Sequence, residues 1–311
     1  MLILSGLTLA FPFPFTRTSM ASAAPASFPR ALVSVTMDDS YLSQYTNGLP
    51  RLNAYNIKAT LYNVTGDIDV ASDYMKTWQL QEFKNAGHEL ASHTFTHPHL
   101  NNLDPEHLNA ELANSKAWLE QRFGPVYDFA APYGEYNSGV LNAIKQYYGS
   151  NRMGTNDGLN TSGNFDPYEI KIKEVSNTTK PEDIVTWLSE AAAQKAWLVL
   201  MYHRIDDVNS RYYVTPAKFE AQMQAIQNSG VASVTVKQAL DELLPLYGKY
   251  RVTASVTSGG GTASPGSQIV EGGSDATITI TPDPGYRIES ITDNGVPVPG
   301  VYDNTYTIND I

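Results

Sequence analysis

The sequence predicts an α/β fold, built as a parallel sheet or barrel, followed by a small all-β domain. Three observations predict it. Strand-like apolar runs alternate with helical patterns from about residue 30 to 247. The composition then changes: from Arg251 onward there is no Lys, Trp or Met, and Gly, Thr, Ser and Pro dominate. No glycine-rich phosphate loop follows the first strand, which counts against a nucleotide-binding, doubly wound open sheet. At 311 residues the chain has room for one large α/β domain and a small companion.

Taken in order, Ala31–Met37 (ALVSVTM) reads as a buried strand and Lys58–Val64 as a second. Met75–Ala86 reads as a helix stopped by Gly87, and His88–Ser92 as a short strand. Asp104 caps the next helix and Pro105 suits its first turn. Leu108, Leu112, Leu119 and Phe123 then share one face until Gly124-Pro125 ends the run. Val126–Ala131 is a strand candidate and Val140–Tyr148 a helix. Thr179 and Glu182 make a capping-box pattern before a helix through Ala193. Trp197–Tyr202 (WLVLMY) reads as a buried strand. Thr215-Pro216 opens a helix that Gly230 ends, Val231–Val236 is a last strand and Gln238–Leu246 a last helix. In the tail, Thr277–Thr281 alternates as strands do, between the turn signals Gly272-Gly273 and Pro284-Gly285. The expected boundaries are a leader at 1–28, the α/β domain at 29–248 and the all-β domain at 249–311. The last of these ends inside strand-like sequence at Ile308–Ile311 and reads as truncated.

Hydrophobic residues make up 42% and charged residues 17%, a globular composition. The formal net charge of −11 disfavours nucleic acid and anionic lipid as partners. Nineteen Tyr and four Trp suit stacking on sugars, although most such residues serve cores and strands. With no cysteine, disulfides and thiolate chemistry are excluded, so any metal must use His, Asp or Glu. Met1–Phe15 is apolar and small residues follow at Ala21–Ala24, as in a secretory signal peptide. No basic residue precedes the run, and Pro12 and Pro14 interrupt it; a disordered leader is the alternative. The expected location is therefore secreted or at the cell surface. No later segment is long and apolar enough to span a bilayer.

Chemistry concentrates at the ends of strands. Asp38-Asp39 follows the first strand, where a parallel barrel places functional residues. Adjacent carboxylates are costly unless a cation compensates them, and one can then ligate while its neighbour acts as a base. Alone, the pair reads more simply as a helix cap. His93 and His97 frame Thr94-Phe95-Thr96, and two imidazoles four apart can share a Zn²⁺ if the segment turns. Four of the six histidines lie between positions 88 and 99, and a surface His-rich loop is the simpler reading. With Asp39 available as a third ligand the metal reading moves ahead, and His88 and His99 read as structural or exposed. His203 ends the apolar strand, a position for a general acid, although a single such histidine is more often a satisfied interior one. Pro132-Tyr133-Gly134 follows another strand, where a backbone N–H suits an oxyanion donor, or simply a turn.

Together these residues resemble carbohydrate esterase family four, the polysaccharide deacetylases, over roughly residues 30–247. Thr36-Met37-Asp38-Asp39-Ser40 resembles the first motif, TFDDG. His93-Thr94-Phe95-Thr96-His97 resembles the second, H-(S/T)-x-x-H. Ala130-Ala131-Pro132-Tyr133 resembles the third, R-x-P-Y, at Pro and Tyr only. Leu200-Met201-Tyr202-His203 resembles the fifth, L-x-x-H. The resemblance implies a distorted (β/α) barrel and a divalent metal, most often Zn²⁺ with Co²⁺ or Ni²⁺ as alternatives, on Asp39, His93 and His97. It further implies Asp38 as general base, His203 as general acid and the Tyr133 N–H as oxyanion donor. The implied reaction is deacetylation of a polysaccharide, with N-acetylglucosamine polymers ahead of acetylated xylan. Ala130 replaces the arginine that orients the base, Ser40 replaces Gly, and no fourth motif is found, since Trp is absent between Trp118 and Trp187. Those departures keep open a catalytically inactive sugar-binding protein. A glycoside hydrolase needs two carboxylates facing each other across a sugar, which adjacent Asp38 and Asp39 do not supply. The tail, with Pro282-Asp283-Pro284-Gly285-Tyr286, resembles a bacterial surface repeat of immunoglobulin-like or related β fold, implying cell-wall or cell-surface association.

Overall fold

The computed structural model describes residues 2–5, 27–208, 211–256, 260–300 and 304–311, without the side chains of residues 2–5 and Asn156. Most of the expected leader, residues 6–26, lies outside the described residues. The backbone of β1 (Leu2–Ser5) pairs with the C-terminal domain described below.

Seven parallel strands close a barrel. They are β2 (Leu32–Asp38), β3 (Ala59–Asn63), β4 (Glu89–Ser92), β5 (Asp128–Ala130), β6 (Ser150–Asp157), β7 (Ile170–Glu174) and β8 (Trp197–Tyr202). They hydrogen-bond in sequence order, and β8 returns to β2. Two small strands follow, β9 (Arg204–Ile205) and β10 (Tyr213–Val214), and then β11 (Ala232–Ser233), which pairs with Leu32 and Val33 at the start of β2. Around the barrel run α1 (Leu49–Ala54), α2 (Thr77–Asn85), α3 (Pro105–Phe123), α4 (Ser138–Tyr147), α5 (Pro181–Gln194), α6 (Pro216–Ser229) and α7 (Val236–Leu243). The expected distorted (β/α) barrel is the fold observed.

The period-two alternation of strands divides the core in two. On β2, Val33, Val35 and Met37 face outward to the helices, and Leu198, Leu200 and Tyr202 do the same on β8. Leu32, Trp197, Val199 and Met201 face the barrel interior with Tyr62, Ala91 and Ala130. Val236, Ala239, Leu240 and Leu243 of α7 close the interior from below.

Most elements lie within a few residues of expectation, with three corrections. The sequence reading does not anticipate β6 and β7: SNRMGTND carries polar side chains where the pattern expects apolar ones, and IKIKE, although it alternates with Ile170 and Ile172 buried, is only five residues long. The strand expected at Val231–Val236 shrinks to Ala232–Ser233. Thr235 instead caps α7, its hydroxyl accepting from Gln238 N at 3.2 Å. The capping box expected at Thr179 and Glu182 sits one residue later: the Asp183 carboxylate accepts from Lys180 N at 2.7 Å, and Pro181 opens α5.

The C-terminal domain comprises two small sheets. One is ordered β14 (Ser267–Glu271), β12 (Lys249–Val256), β1, β16 (Ile291–Asp293), β17 (Val296–Pro297). The other is ordered β13 (Gly261–Ser264), β15 (Ala276–Pro282), β18 (Thr305–Ile308). Ala276, Ile278 and Ile280 are buried on alternate positions of β15, the inward face of the predicted Thr-Ile repeat.

Candidate metal centre and active site

The C-terminal ends of the barrel strands open into a cleft of about 1120 Å³. Asp38, Asp39, His93, His97, Tyr133 and His203 all line it, so one end of the barrel gathers every residue the sequence nominated.

Asp39 leaves β2 through a sharp turn, with φ of 72° at Asp39 and 61° at Ser40. Ser40 thus takes up the backbone conformation that Gly would favour, and its hydroxyl donates to Asn63 Oδ1 at 3.1 Å. The turn aims Asp39 away from the barrel interior that Asp38 enters. Asp39 Oδ1 lies 3.6 Å from His93 Nε2 and 3.4 Å from His97 Nε2. Ligand atoms from all three residues lie within 4.8 Å of one another.

The segment from His93 to His97 makes the required turn without becoming a helix, with φ of 72° at Thr94 and 59° at His97. Thr94 Oγ1 accepts from His97 N at 2.9 Å. Glu111 of α3 accepts from Phe95 N at 2.9 Å, from Thr96 N at 2.8 Å and from the Thr96 hydroxyl at 2.6 Å. One carboxylate therefore clamps the loop between the two imidazoles. His93 Nδ1 sits 2.7 Å from Ala130 O, an acceptor only, so Nδ1 carries the proton and Nε2 presents its lone pair to Asp39 and His97. Burial pushes the His93 imidazole down to about 4, against the opposing pull of Asp38, so the ring is neutral at neutral pH.

Asp39 Oδ1 is buried and has no hydrogen-bond donor among the described residues. An orphaned carboxylate oxygen facing two lone-pair nitrogens fits a divalent cation, and the His₂Asp donor set fits Zn²⁺.

Asp38 points into the barrel, where Arg152 Nη2 donates to its Oδ2. Burial opposes its ionisation, yet the charge of Arg152, with His93 and His203, holds the carboxyl below the usual range. His203 shares the cleft with Asp38, its ring 5.1 Å from that of Tyr212. Gln44 ties the two strand ends together, its Nε2 donating to Asp38 O at 2.5 Å and His203 O at 3.0 Å. His203 Nδ1 is buried without a partner among the described residues, consistent with the lack of a recognisable fourth motif.

Tyr133 sits at φ 58° in the turn after β5. Its ring packs 4.6 Å from His97 and stacks on His99 at 4.0 Å. His99 is otherwise paired with Glu135 at the surface, and His88 accepts from Ala59 N at 3.0 Å below the site, so neither joins the metal cluster. Sequence reading missed Arg152 and Gln44, which contact nominated residues, Glu111, which holds the loop between His93 and His97, and Trp187, which α5 brings to the cleft wall. None of these four lies beside a recognised motif.

Residues 26–149 match the family model for polysaccharide deacetylase, and residues 250–309 match that for a divergent InlB B-repeat domain. A Bacillus subtilis (strain 168) protein, YxkH, assigned to the polysaccharide deacetylases, is 30% identical over 115 residues. That match spans 37% of this chain and 41% of YxkH. The Xyl-CE4 domain of a multidomain xylanase from the hindgut metagenome of Trinervitermes trinervoides is similar in structure. Its TM-score is 0.52 at 22% identity, over 68% of this chain and 91% of that one. A family 4 acetyl xylan esterase from Clostridium thermocellum, solved with a cobalt ion, gives 0.50 at 18% identity, over 67% and 90%. These two likenesses agree on the fold. This chain is therefore similar to the polysaccharide deacetylases over residues 26–149 and to a divergent InlB B-repeat domain over residues 250–309.

Proposed function

We propose that this chain is a metal-dependent hydrolase that removes acetyl groups from an extracellular polysaccharide, with N-acetylglucosamine polymers ahead of acetylated xylan. The observation that carries the reading is the meeting of Asp39, His93 and His97 in one cleft with Asp38 and His203. Asp39, His93 and His97 would hold the ion, Zn²⁺ before Co²⁺ or Ni²⁺. When bound, it supplies Lewis acidity at the acetyl carbonyl.

The protein's own groups do the rest. Asp38, kept ionised beside Arg152, takes a proton from the attacking water. The Tyr133 N–H donates to the oxyanion that the acetyl carbonyl oxygen becomes as water adds to the carbon. His203 gives a proton to the leaving nitrogen or oxygen as the bond to the acetyl carbon breaks, releasing acetate and an amine or alcohol. Tyr41, Tyr74, Trp187 and Tyr212 line the cleft and supply aromatic surface for a sugar chain. Deacetylation outside the cell and retention at the cell surface through the C-terminal domain complete the proposal.

The test is acetate release from N-acetylglucosamine oligomers and acetylated xylan. The protein is stripped of metal, then given Zn²⁺ or Co²⁺, beside His93→Ala and Asp38→Asn. Release restored by metal and abolished by both substitutions is expected, His93→Ala also losing Zn²⁺ binding in calorimetry. A protein that binds metal but releases no acetate is a sugar-binding module instead, and failure to bind metal removes the central claim.

A further inference from the structure

We propose that Arg152 of β6 is the positioning residue for Asp38, an arginine transposed by one strand from the place that Ala130 occupies on β5. The inference rests on the deacetylase reading and adds a residue to it.

The geometry is specific. Ala130 and Arg152 are direct partners in the parallel β5–β6 register, and both side chains enter the barrel. The Ala130 methyl leaves that layer open, and the Arg152 side chain crosses it to Asp38 on β2. Arg152 is 1% exposed, and every contact it makes fixes its direction. Its Nη1 donates to Met153 O at 2.8 Å and meets Met201 Sδ at 2.9 Å, and its guanidinium lies 4.9 Å from the Tyr62 ring centre. Such a cation has no reason to enter a barrel interior except to meet a charge there. It engages Asp38 Oδ2 only, and Oδ1 has no hydrogen-bond partner among the described residues. One oxygen is held and the other left for a proton.

The same strand supports the oxyanion loop. Gly154, two residues on, meets Gly134 backbone to backbone: a Cβ on Gly154 would stand 3.0 Å from Gly134 Cα. Arg152-Met153-Gly154 therefore serves both Asp38 and the turn that carries Tyr133.

The test is a set of variants read in two ways. Thermal unfolding compares Arg152→Ala, Asp38→Asn and the double variant. Arg152→Ala should lower Tm by several degrees by orphaning a buried carboxylate. Asp38→Asn in that background should recover at least half the loss, because no charge is then left alone. A double variant as unstable as Arg152→Ala, or unfolded, overturns the pairing. Kinetics on an N-acetylglucosamine oligomer with Zn²⁺ provide the second reading. Arg152→Ala should lower kcat about 100-fold with KM within about threefold, as loss of an oriented base does. Ala130→Arg combined with Arg152→Ala should regain at least about tenfold by restoring the guanidinium from the neighbouring strand. An Arg152→Ala protein with near-wild-type kcat, or a combination no better than Arg152→Ala, overturns the transposition. If the wild-type protein releases no acetate, the deacetylase reading falls while the Tm comparison still decides the pairing.

Discussion

Two buried histidines show how much environment decides. His88 and His93 are each pushed down to about 4 by burial, yet one faces the core and the other the ligand cluster. His88 is neutral when folded and accepts from Ala59 N, so its depressed value contributes stability that is complete above the unfolded value near 6.5 and lost as pH falls through about 4. Its share is roughly 3 kcal/mol at most. Urea unfolding of His88→Gln at about pH 7 and about pH 4 should show a smaller loss on acidification than the wild-type chain. Gly134 is a second single-residue test. It sits at φ 67°, and a Cβ there would come within 2.7 Å of Gly154 N. Gly134→Ala should therefore cost about 1–3 kcal/mol in thermal unfolding and reduce acetate release by displacing Tyr133.

At the scale of elements, the second motif depends on a helix that carries no motif itself. Glu111 projects from α3 and accepts three hydrogen bonds from Phe95 and Thr96, holding two imidazoles four residues apart in one direction. Glu111→Ala should weaken Zn²⁺ binding about 10- to 100-fold in calorimetric titration while α3 persists by circular dichroism. β6 is the other such element. Its polar sequence hid it from a hydrophobicity pattern, yet Arg152 and Gly154 are polar or small because they serve the site. The first and second motifs and the terminal His203 were legible because each is local: a strand end, a short turn, a strand end. Arg152 was not, because its partner Asp38 lies 114 positions away and only barrel closure brings the two together.

Across the whole molecule, the lower end of the barrel is sealed by buried charge rather than by apolar packing alone. Arg251, from the first strand of the C-terminal domain proper, reaches Asp128 at 3.2 Å. Burial pushes Glu89 well above the carboxylate range, reinforced by the neighbouring Asp128. Asp128 itself is held low against burial by Arg251 and by hydrogen bonds from Glu89 and Ser150. Glu89 is thus the protonated partner and Asp128 the ionised one. Arg251→Ala leaves Asp128 charged and buried without its cation, with only the hydrogen bonds from Glu89 and Ser150, and should cost about 3–5 kcal/mol in thermal unfolding of the full chain. A Tm within a degree of wild type would show that the two domains fold independently.

The amino-acid sequence by itself determined an alternating β/α domain and five of its seven barrel strands, since strand and helix periods, caps and glycine stops are local properties of the chain; closure of β8 onto β2 was decided by the tertiary structure. It also nominated Asp39, His93 and His97 with Asp38 and His203, because each lies at the end of a strand or in the short turn that follows one. The tertiary structure alone decided how Asp38 is held, how the His93–His97 loop is clamped and how the C-terminal domain seats on the barrel. Those contacts join residues far apart in the chain through side chains whose partners are chosen by closure of the sheet, and no local pattern encodes them.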